Sequence, residues 1–289
     1  MWGEIMKKSK KLICAAVACA ALSSMILWGN NSIGISKYTV KNSSIPAAFS
    51  GFRIVQVSDF HNTLFGKDHS SLISLIEKCN ADIIVITGDL IDSRRTDIDC
   101  ALSFIEAATQ LAPVYYVTGN HEARVADYPR LKTGLEAAGV TVLDGKSVPL
   151  TRNGAQITLA GMGDPNFIEG YHSGGFVEEL EEKILSALDG AKGYSILLSH
   201  RPELFDIYGS CGVGLVFTGH AHGGQFRLPF VGGVFAPSQG PFPEYDAGVF
   251  SKDGTDMVVS RGLGNSVFPL RLNNRPELVC VTLENSETV

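Results

Sequence analysis

The sequence predicts an α/β fold in which two β-sheets are flanked by helices, and three observations carry that prediction. Apolar runs of strand length alternate with segments of helical spacing, the rhythm of βαβ units. The C-terminal third turns Gly- and Pro-rich and reads as a series of short strands. Polar residues of metal-binding type follow directly after several of the apolar runs, where open α/β sheets place their ligands.

The elements follow in order. Lys7, Lys8, Lys10 and Lys11 precede an uncharged run of 17 residues, 12–28, so residues 1–11 read as a basic cytoplasmic region and 12–28 as a transmembrane signal-anchor. As a helix that run spans about 25 Å, slightly short of a ~30 Å hydrocarbon core but extended by the lysines and Trp28. A cleaved signal is the rival reading, since Ala18 and Ala20 fit a small-x-small site, and Cys19 is a weak lipidation candidate. By the positive-inside rule the lysines stay cytoplasmic, which places a single-pass protein in the cell membrane with its main domain on the extracytoplasmic side.

Residues 29–50 read as a linker and 51–289 as one domain. Within it, strands are predicted at 52–58, 82–87, 114–118, 140–143, 157–162, 194–199 and 213–218, and helices at 70–79, 98–111, 128–138 and 176–188. Short strands follow near 233–236, 248–250, 257–260 and 278–283. No solenoid-period repeat is visible.

With 289 residues, 45% of them hydrophobic, the chain can bury a full core. A formal net charge of −6 argues against a broad nucleic-acid-binding surface, and no nucleic-acid duplex is expected as a partner. Cys14 and Cys19 fall in the apolar run, and the scattered Cys79, Cys100, Cys211 and Cys280 form no zinc knuckle or disulfide framework.

Five clusters carry the chemistry: Asp59 with His61, Asp89, Asn120 with His121, His200, and His220 with His222, each placed after a predicted strand. Taken singly, each has an ordinary explanation. Asp59 and Asp89 could cap helices, Asn120 could serve a turn after Gly119, and His200 could end a strand before Arg201 and Pro202. His220 and His222, inside a Gly-rich run where backbone approaches closely, resist such an account. Together the five supply carboxylate, imidazole and amide oxygen for a divalent pair.

Asp59-Phe60-His61, Gly88-Asp89, Gly119-Asn120-His121-Glu122, Ser199-His200 and Gly219-His220-Ala221-His222 resemble the signature of the calcineurin-like metallophosphoesterases. A tail from Arg261-Gly262-Leu263-Gly264 to Asn274-Arg275-Pro276-Glu277 is similar to the bacterial membrane-anchored branch, which includes phosphoesterases like UDP-2,3-diacylglucosamine hydrolase. The resemblance implies a four-layer α/β/β/α sandwich with two mixed β-sheets and a metal site at the strand C-terminal ends. It further implies that Asp59, His61 and His222 hold one metal, that Asn120, His200 and His220 hold another, and that Asp89 bridges them. A hydroxide shared by the metals would then attack phosphorus. His121 would protonate the leaving oxygen, with Asp92 as the acid that orients it.

The implied cofactors are two divalent ions, with Mn, Fe and Zn all compatible with these ligands. The implied partner is a phosphoester or pyrophosphate substrate, for which lipid-linked and nucleotide forms are both open. Protein phosphatases share Gly119-Asn120-His121-Glu122, which leaves that reaction as an alternative, alongside a metal-binding scaffold without turnover. Glu122, Arg94, Arg124 and Arg201 are candidate neighbours of the site or simply solvated charges. His172 is a candidate to line the substrate cleft, His69 lies at a helix start, and Asp164 reads as a turn or cap.

Overall fold

Strands too apolar to face water on either side require cover on both, and the chain supplies it by stacking two sheets and backing each with helices. This architecture comes from a computed structural model that describes residues 2–168 and 176–287. His172 lies outside the described residues.

Helix α1 (Trp2–Asn31) contains the whole uncharged run and continues beyond both its ends. Among the described residues no helix is long and apolar enough to cross a membrane. The side chains of residues 21, 22, 25 and 27, inside the run, fall outside that description.

The stretch expected to be a linker, 29–50, is structured instead. Strand β1 (Gly34–Asn42) pairs in parallel with a C-terminal strand from Gly34 opposite Glu277 to Asn42 opposite Asn285. It escapes a search for apolar runs because it is an edge strand, polar and half-exposed, held by its backbone ladder.

The chain then alternates β2 (Arg53–Val57), α2 (Ser70–Cys79), β3 (Ile83–Thr87), α3 (Ile98–Ala108), β4 (Val114–Val117), α4 (Tyr128–Ala137) and the short β5 (Thr141–Val142). Asp97 caps α3 by accepting a hydrogen bond from the Cys100 amide at 2.9 Å. A hairpin of β6 (Lys146–Arg152) and β7 (Ala155–Gly161) leads to α5 (Val177–Ala187), β8 (Ser195–Leu198), α6 (Phe205–Ser210) and β9 (Leu215–Thr218). Four two-residue strands follow: β10 (Arg227–Leu228), β11 (Gly232–Gly233), β12 (Phe235–Ala236) and β13 (Gly240–Pro241). The last strands are β14 (Gly248–Lys252), β15 (Thr255–Val259) and β16 (Glu277–Asn285).

One six-stranded sheet has the order β1-β16-β2-β3-β4-β5 and the other β14-β15-β9-β8-β7-β6; both mix parallel and antiparallel pairs. Strand β3 shows how the layers are built, since all five of its residues are buried. Ile84 and Ile86 point to the core shared with α2, α3 and α4, while Ile83 and Val85 point into the core between the sheets. A third core joins the outer face of the second sheet to Leu180 and Ile184 of α5 and Tyr208 of α6. The layers therefore run helices, sheet, sheet, helices, as the resemblance implies.

One buried polar residue joins the sheets directly beneath their C-terminal edge. The Gln56 side-chain amide on β2 donates to the Thr87 hydroxyl at 2.9 Å and to the Thr218 carbonyl at 2.8 Å. Because a buried amide without partners is costly, this contact favours the sheet-to-sheet alignment that brings the two sets of strand ends together.

Candidate metal centre

All five clusters emerge at that shared edge. Asp59, Asp89 and Asn120 follow β2, β3 and β4 of the first sheet, while His200 and His220 follow β8 and β9 of the second. Backbone bonds link the loops, from the Asp59 amide to the Gly88 carbonyl at 3.1 Å and from the Gly219 amide to the His200 carbonyl at 3.1 Å.

The backbone there is unusual. Asp59, His61, Asp89, His220 and His222 all have positive φ, between 47° and 63°. For residues that carry a Cβ this costs about 1–2 kcal/mol each, and such strain persists where the surroundings over-determine it. Glycine makes the crowding possible: a Cβ on Gly219 would lie 1.9 Å from Ser58 Oγ, and one on Gly119 would lie 2.3 Å from Asp89 Oδ1. Glu122 is a staple rather than a solvated acid. Buried, it accepts from the amides of Gly119 at 2.7 Å, Asp89 at 2.9 Å and Ile91 at 3.1 Å.

The side chains gather into three groups whose ligand atoms lie within 4.8 Å of one another: Asp59 with His61 and His222, Asp89 with His200 and His220, and His61 with Asp92 and His121. In the first, His222 Nε2 lies 3.3 Å from both Asp59 Oδ1 and His61 Nε2. In the second, His200 Nε2 lies 3.3 Å from Asp89 Oδ2, which is also 3.7 Å from His61 Nε2. Asp89 Oδ2 thus stands between the first two groups, and its Oδ1 accepts from the His121 amide at 2.8 Å.

Several buried donor atoms have no hydrogen-bond partner among the described residues, including Asn120 Oδ1 and His200 Nε2. Such atoms are expensive unless something positive meets them. The other ring nitrogen of His200 sits 2.7 Å from the Thr87 carbonyl, a contact that places a proton on Nδ1 and turns Nε2 toward Asp89 Oδ2.

Burial lowers His61 to about 4 and holds His220 and His222 well below the usual imidazole range, leaving all three as neutral ligands. Burial also opposes charge on His200, but the Asp89 carboxylate outweighs it and raises that imidazole to about 10. A site that draws a proton onto a buried histidine this strongly is one in which a divalent cation can take the proton's place.

His121 borders the ligand atoms, with its Nε2 3.9 Å from Asp89 Oδ2 and its ring 4.6 Å from that of His61. Its Nδ1 accepts from the Ser93 amide at 2.9 Å, which places the proton of the neutral ring on Nε2, 3.1 Å from Ser266 Oγ and facing the open cleft. Asp92, expected to orient His121, does not hydrogen-bond to it. Asp92 Oδ1 accepts from the Arg94 and Arg95 amides, a local turn that aims Oδ2 at His61 Nδ1, 3.9 Å away. The hydrogen bond to the His121 ring comes from the Ser93 amide, while Asp92 contributes a negative charge within 4.8 Å of it.

The cleft encloses about 590 Å³ between the metal-binding edge and two C-terminal loops, and Arg124, Phe226, Phe235, Val267 and Phe268 are among the residues that line it. Arg201 is not free to scan it, since its guanidinium clasps Asp164 through Nε at 2.6 Å and Nη2 at 3.1 Å. Asp164 also caps a short turn at the Asn166 amide, the role read from sequence, so its pairing with Arg201 is the part that went unseen. His69 packs against Phe60 and Phe104 and bonds to Ser103, with no part in the cleft.

Arg271 was missed altogether. Completely buried, it donates to Asn265 Oδ1 and to the carbonyls of Arg261 and Gly264, with Nη2 3.4 Å from His222 Nδ1. Only its place inside the tail segment marked it in the sequence.

The family model described as calcineurin-like phosphoesterase matches residues 52–224. The chain belongs to the calcineurin-like phosphoesterase family. It is 30% identical over 264 residues to the uncharacterized metallophosphoesterase YkuE of Bacillus subtilis (strain 168), covering 88% of this chain and 86% of that protein. It is also 27% identical over 242 residues to the phosphodiesterase YaeI of Escherichia coli (strain K12), covering 80% and 82%. The structure of TT1561 of Thermus thermophilus shares the fold, with a TM-score of 0.51 at 14% identity over 74% of this chain and 90% of that one. As a calcineurin-like phosphoesterase the protein is a hydrolase acting on phosphoester bonds, and it carries candidate groups for divalent metals.

Proposed function

We propose that the protein is a dinuclear metal-dependent phosphodiesterase, anchored by α1 with its domain on the extracytoplasmic side, whose substrate carries an apolar, lipid-linked portion. The observation that carries the reaction is the position of Asp89 Oδ2 between two ligand groups, at the edge where Asn120 Oδ1 and His200 Nε2 await a cation. Asp59, His61 and His222 would hold one ion, Asn120, His200 and His220 the other, and Asp89 both. Bound there, the ions would supply Lewis-acid neutralisation of phosphoryl oxygens and an acidified water.

The chain's own groups do the rest. Asp92 sets a negative charge 3.9 Å behind His61 Nδ1, and the Ser93 amide keeps the His121 proton on Nε2, from which it passes to the leaving oxygen. Arg124 draws the phosphate into the cleft, and the phenylalanines that line it accept an apolar group. The 17-residue uncharged run supports the anchor, and the four lysines before it support the orientation.

The test is hydrolysis by the full chain, reconstituted with Mn, Fe or Zn, of bis-p-nitrophenyl phosphate, a nucleotide, a lipid-linked phosphodiester and a phosphopeptide. The lipid-linked diester is expected to give the highest kcat/KM, with activity lost on chelation and restored by metal. A chain that cleaves the phosphopeptide and leaves diesters intact would overturn the reading.

A further inference from the structure

Two stretches beside the cleft contain no charged residue, 228–243 and 262–270, although much of both is on the surface. Their large apolar side chains point outward: Phe230 is fully exposed, and Phe242 and Val267 are each 64% exposed. Exposed apolar residues are ordinary singly, but a charge-free cluster of them marks a contact surface. Phe230 and Phe242 also adopt positive φ, at 67° and 53°. For an aromatic residue that is a strained backbone, kept here with its ring in water.

The second stretch is tied to the segment that leads into the first. Gln225 Nε2 donates to the carbonyls of Phe268 at 2.9 Å and Leu270 at 2.7 Å, and the Phe226 and Phe268 rings meet edge to face at 5.1 Å. The end of α1 is fixed to the second stretch. Asn30 Oδ1 accepts from the Arg271 amide at 2.9 Å and from Asn265 Nδ2 at 3.1 Å, and the Arg275 guanidinium lies over the Trp28 ring at 4.4 Å. The apolar run of α1 therefore leaves the domain beside the second stretch, at Asn265.

We propose that these two loops seat on the surface of a lipid bilayer, so that the catalytic cleft opens onto the membrane. The proposal rests on α1 being the anchor. It chooses a bilayer over a protein partner because one of the two stretches is held at the end of the helix that carries the uncharged run 12–28. Insertion of the Phe230 and Phe242 rings at the boundary between headgroups and acyl chains would give their outward, strained setting a purpose.

The experiment uses the full chain reconstituted into phosphatidylcholine–phosphatidylglycerol vesicles with brominated acyl chains, reading tryptophan emission. The native chain contains only Trp2 and Trp28, so Phe230→Trp adds a reporter on the rim and Leu185→Trp adds one on the outer face of α5 as a control. The added emission of Phe230→Trp is expected to be lost to quenching, most strongly with bromines close to the headgroups, since interfacial groups sit about 5–10 Å into that boundary. Leu185→Trp is expected to keep its added emission. Hydrolysis of bis-p-nitrophenyl phosphate at the native rate verifies that both variants are folded.

Vesicle-retained protein whose Phe230→Trp emission matches the control would overturn the proposal and leave the anchor standing. Protein that fails to co-float with vesicles would sink the anchor and the proposal together. Cross-linking between copies through a cysteine placed by Phe230→Cys, without bromine quenching of Phe230→Trp, would assign the rim to a second copy instead.

Discussion

The metal-binding edge and the apolar rim face each other across one cleft, yet they are built on opposite terms. The edge is buried, polar and over-determined: Asp89 alone meets His121, Glu122, His61 and His200 through its backbone or carboxylate. The rim is exposed and apolar, and its second loop is tied by the Gln225 side chain to the segment that precedes the first. Strained backbone occurs in both, with positive φ at His220 and at Phe230. At the edge the strain serves ligand geometry, where fractions of an ångström matter. At the rim it serves exposure, where position is loose. Substitutions should therefore be severe at the edge and mild at the rim toward any soluble substrate.

The largest effect is expected for Asp89→Asn, which removes charge shared by both ligand groups. Turnover of bis-p-nitrophenyl phosphate should fall beyond the ~10²–10³-fold cost of one lost electrostatic contact, and bound metal measured by elemental analysis should fall with it. Undiminished turnover would dissolve the contrast between the regions. Next is His121→Ala, expected to lower kcat by about 10²–10⁴-fold while leaving metal content unchanged, as befits proton transfer rather than ligation. A loss of metal would move His121 into the ligand set.

Asp92→Asn sharpens the division within the edge. If Asp92 acts by fixing His61, metal affinity measured by titration should weaken about 10–100-fold, and saturating metal should restore most turnover. A kcat loss that metal does not rescue would return Asp92 to the service of His121. The smallest effect belongs to Phe230→Ser. It should change stability in a denaturant melt by no more than about 0.5 kcal/mol and leave bis-p-nitrophenyl phosphate hydrolysis unaltered. A large loss on that soluble substrate would show that the rim shapes the metal site.

The two regions were also unequally legible in the sequence. The edge could be read because its residues follow apolar runs that can only be buried strands, and because Asp, Asn and His recur in an ordered series. The rim resisted reading because Leu228, Phe235 and Val267 look like core residues until the fold leaves them outside. Strand β1 was hidden by its half-polar edge position, and β6, with Pro149 and two charged ends, by the same kind of exposure. Glu122 and Arg271 could not be separated from solvated charges, since an isolated Glu or Arg in a sequence carries no mark of the amides or carbonyls it will meet.

By itself the sequence determined the alternation of strands and helices, the candidate metal-binding side chains and the uncharged N-terminal run, because hydrophobic period and ligand chemistry are local properties. Tertiary structure alone decided which partners those side chains take: that Asp89 Oδ2 stands between His61 and His200, that Asp92 faces His61 while the Ser93 amide holds His121, and that α1 ends beside the cleft. Those outcomes depend on packing two sheets so that strand ends far apart in the chain meet at one edge. Contacts a few ångströms long between residues from about thirty to more than two hundred positions apart have no signature in either segment alone.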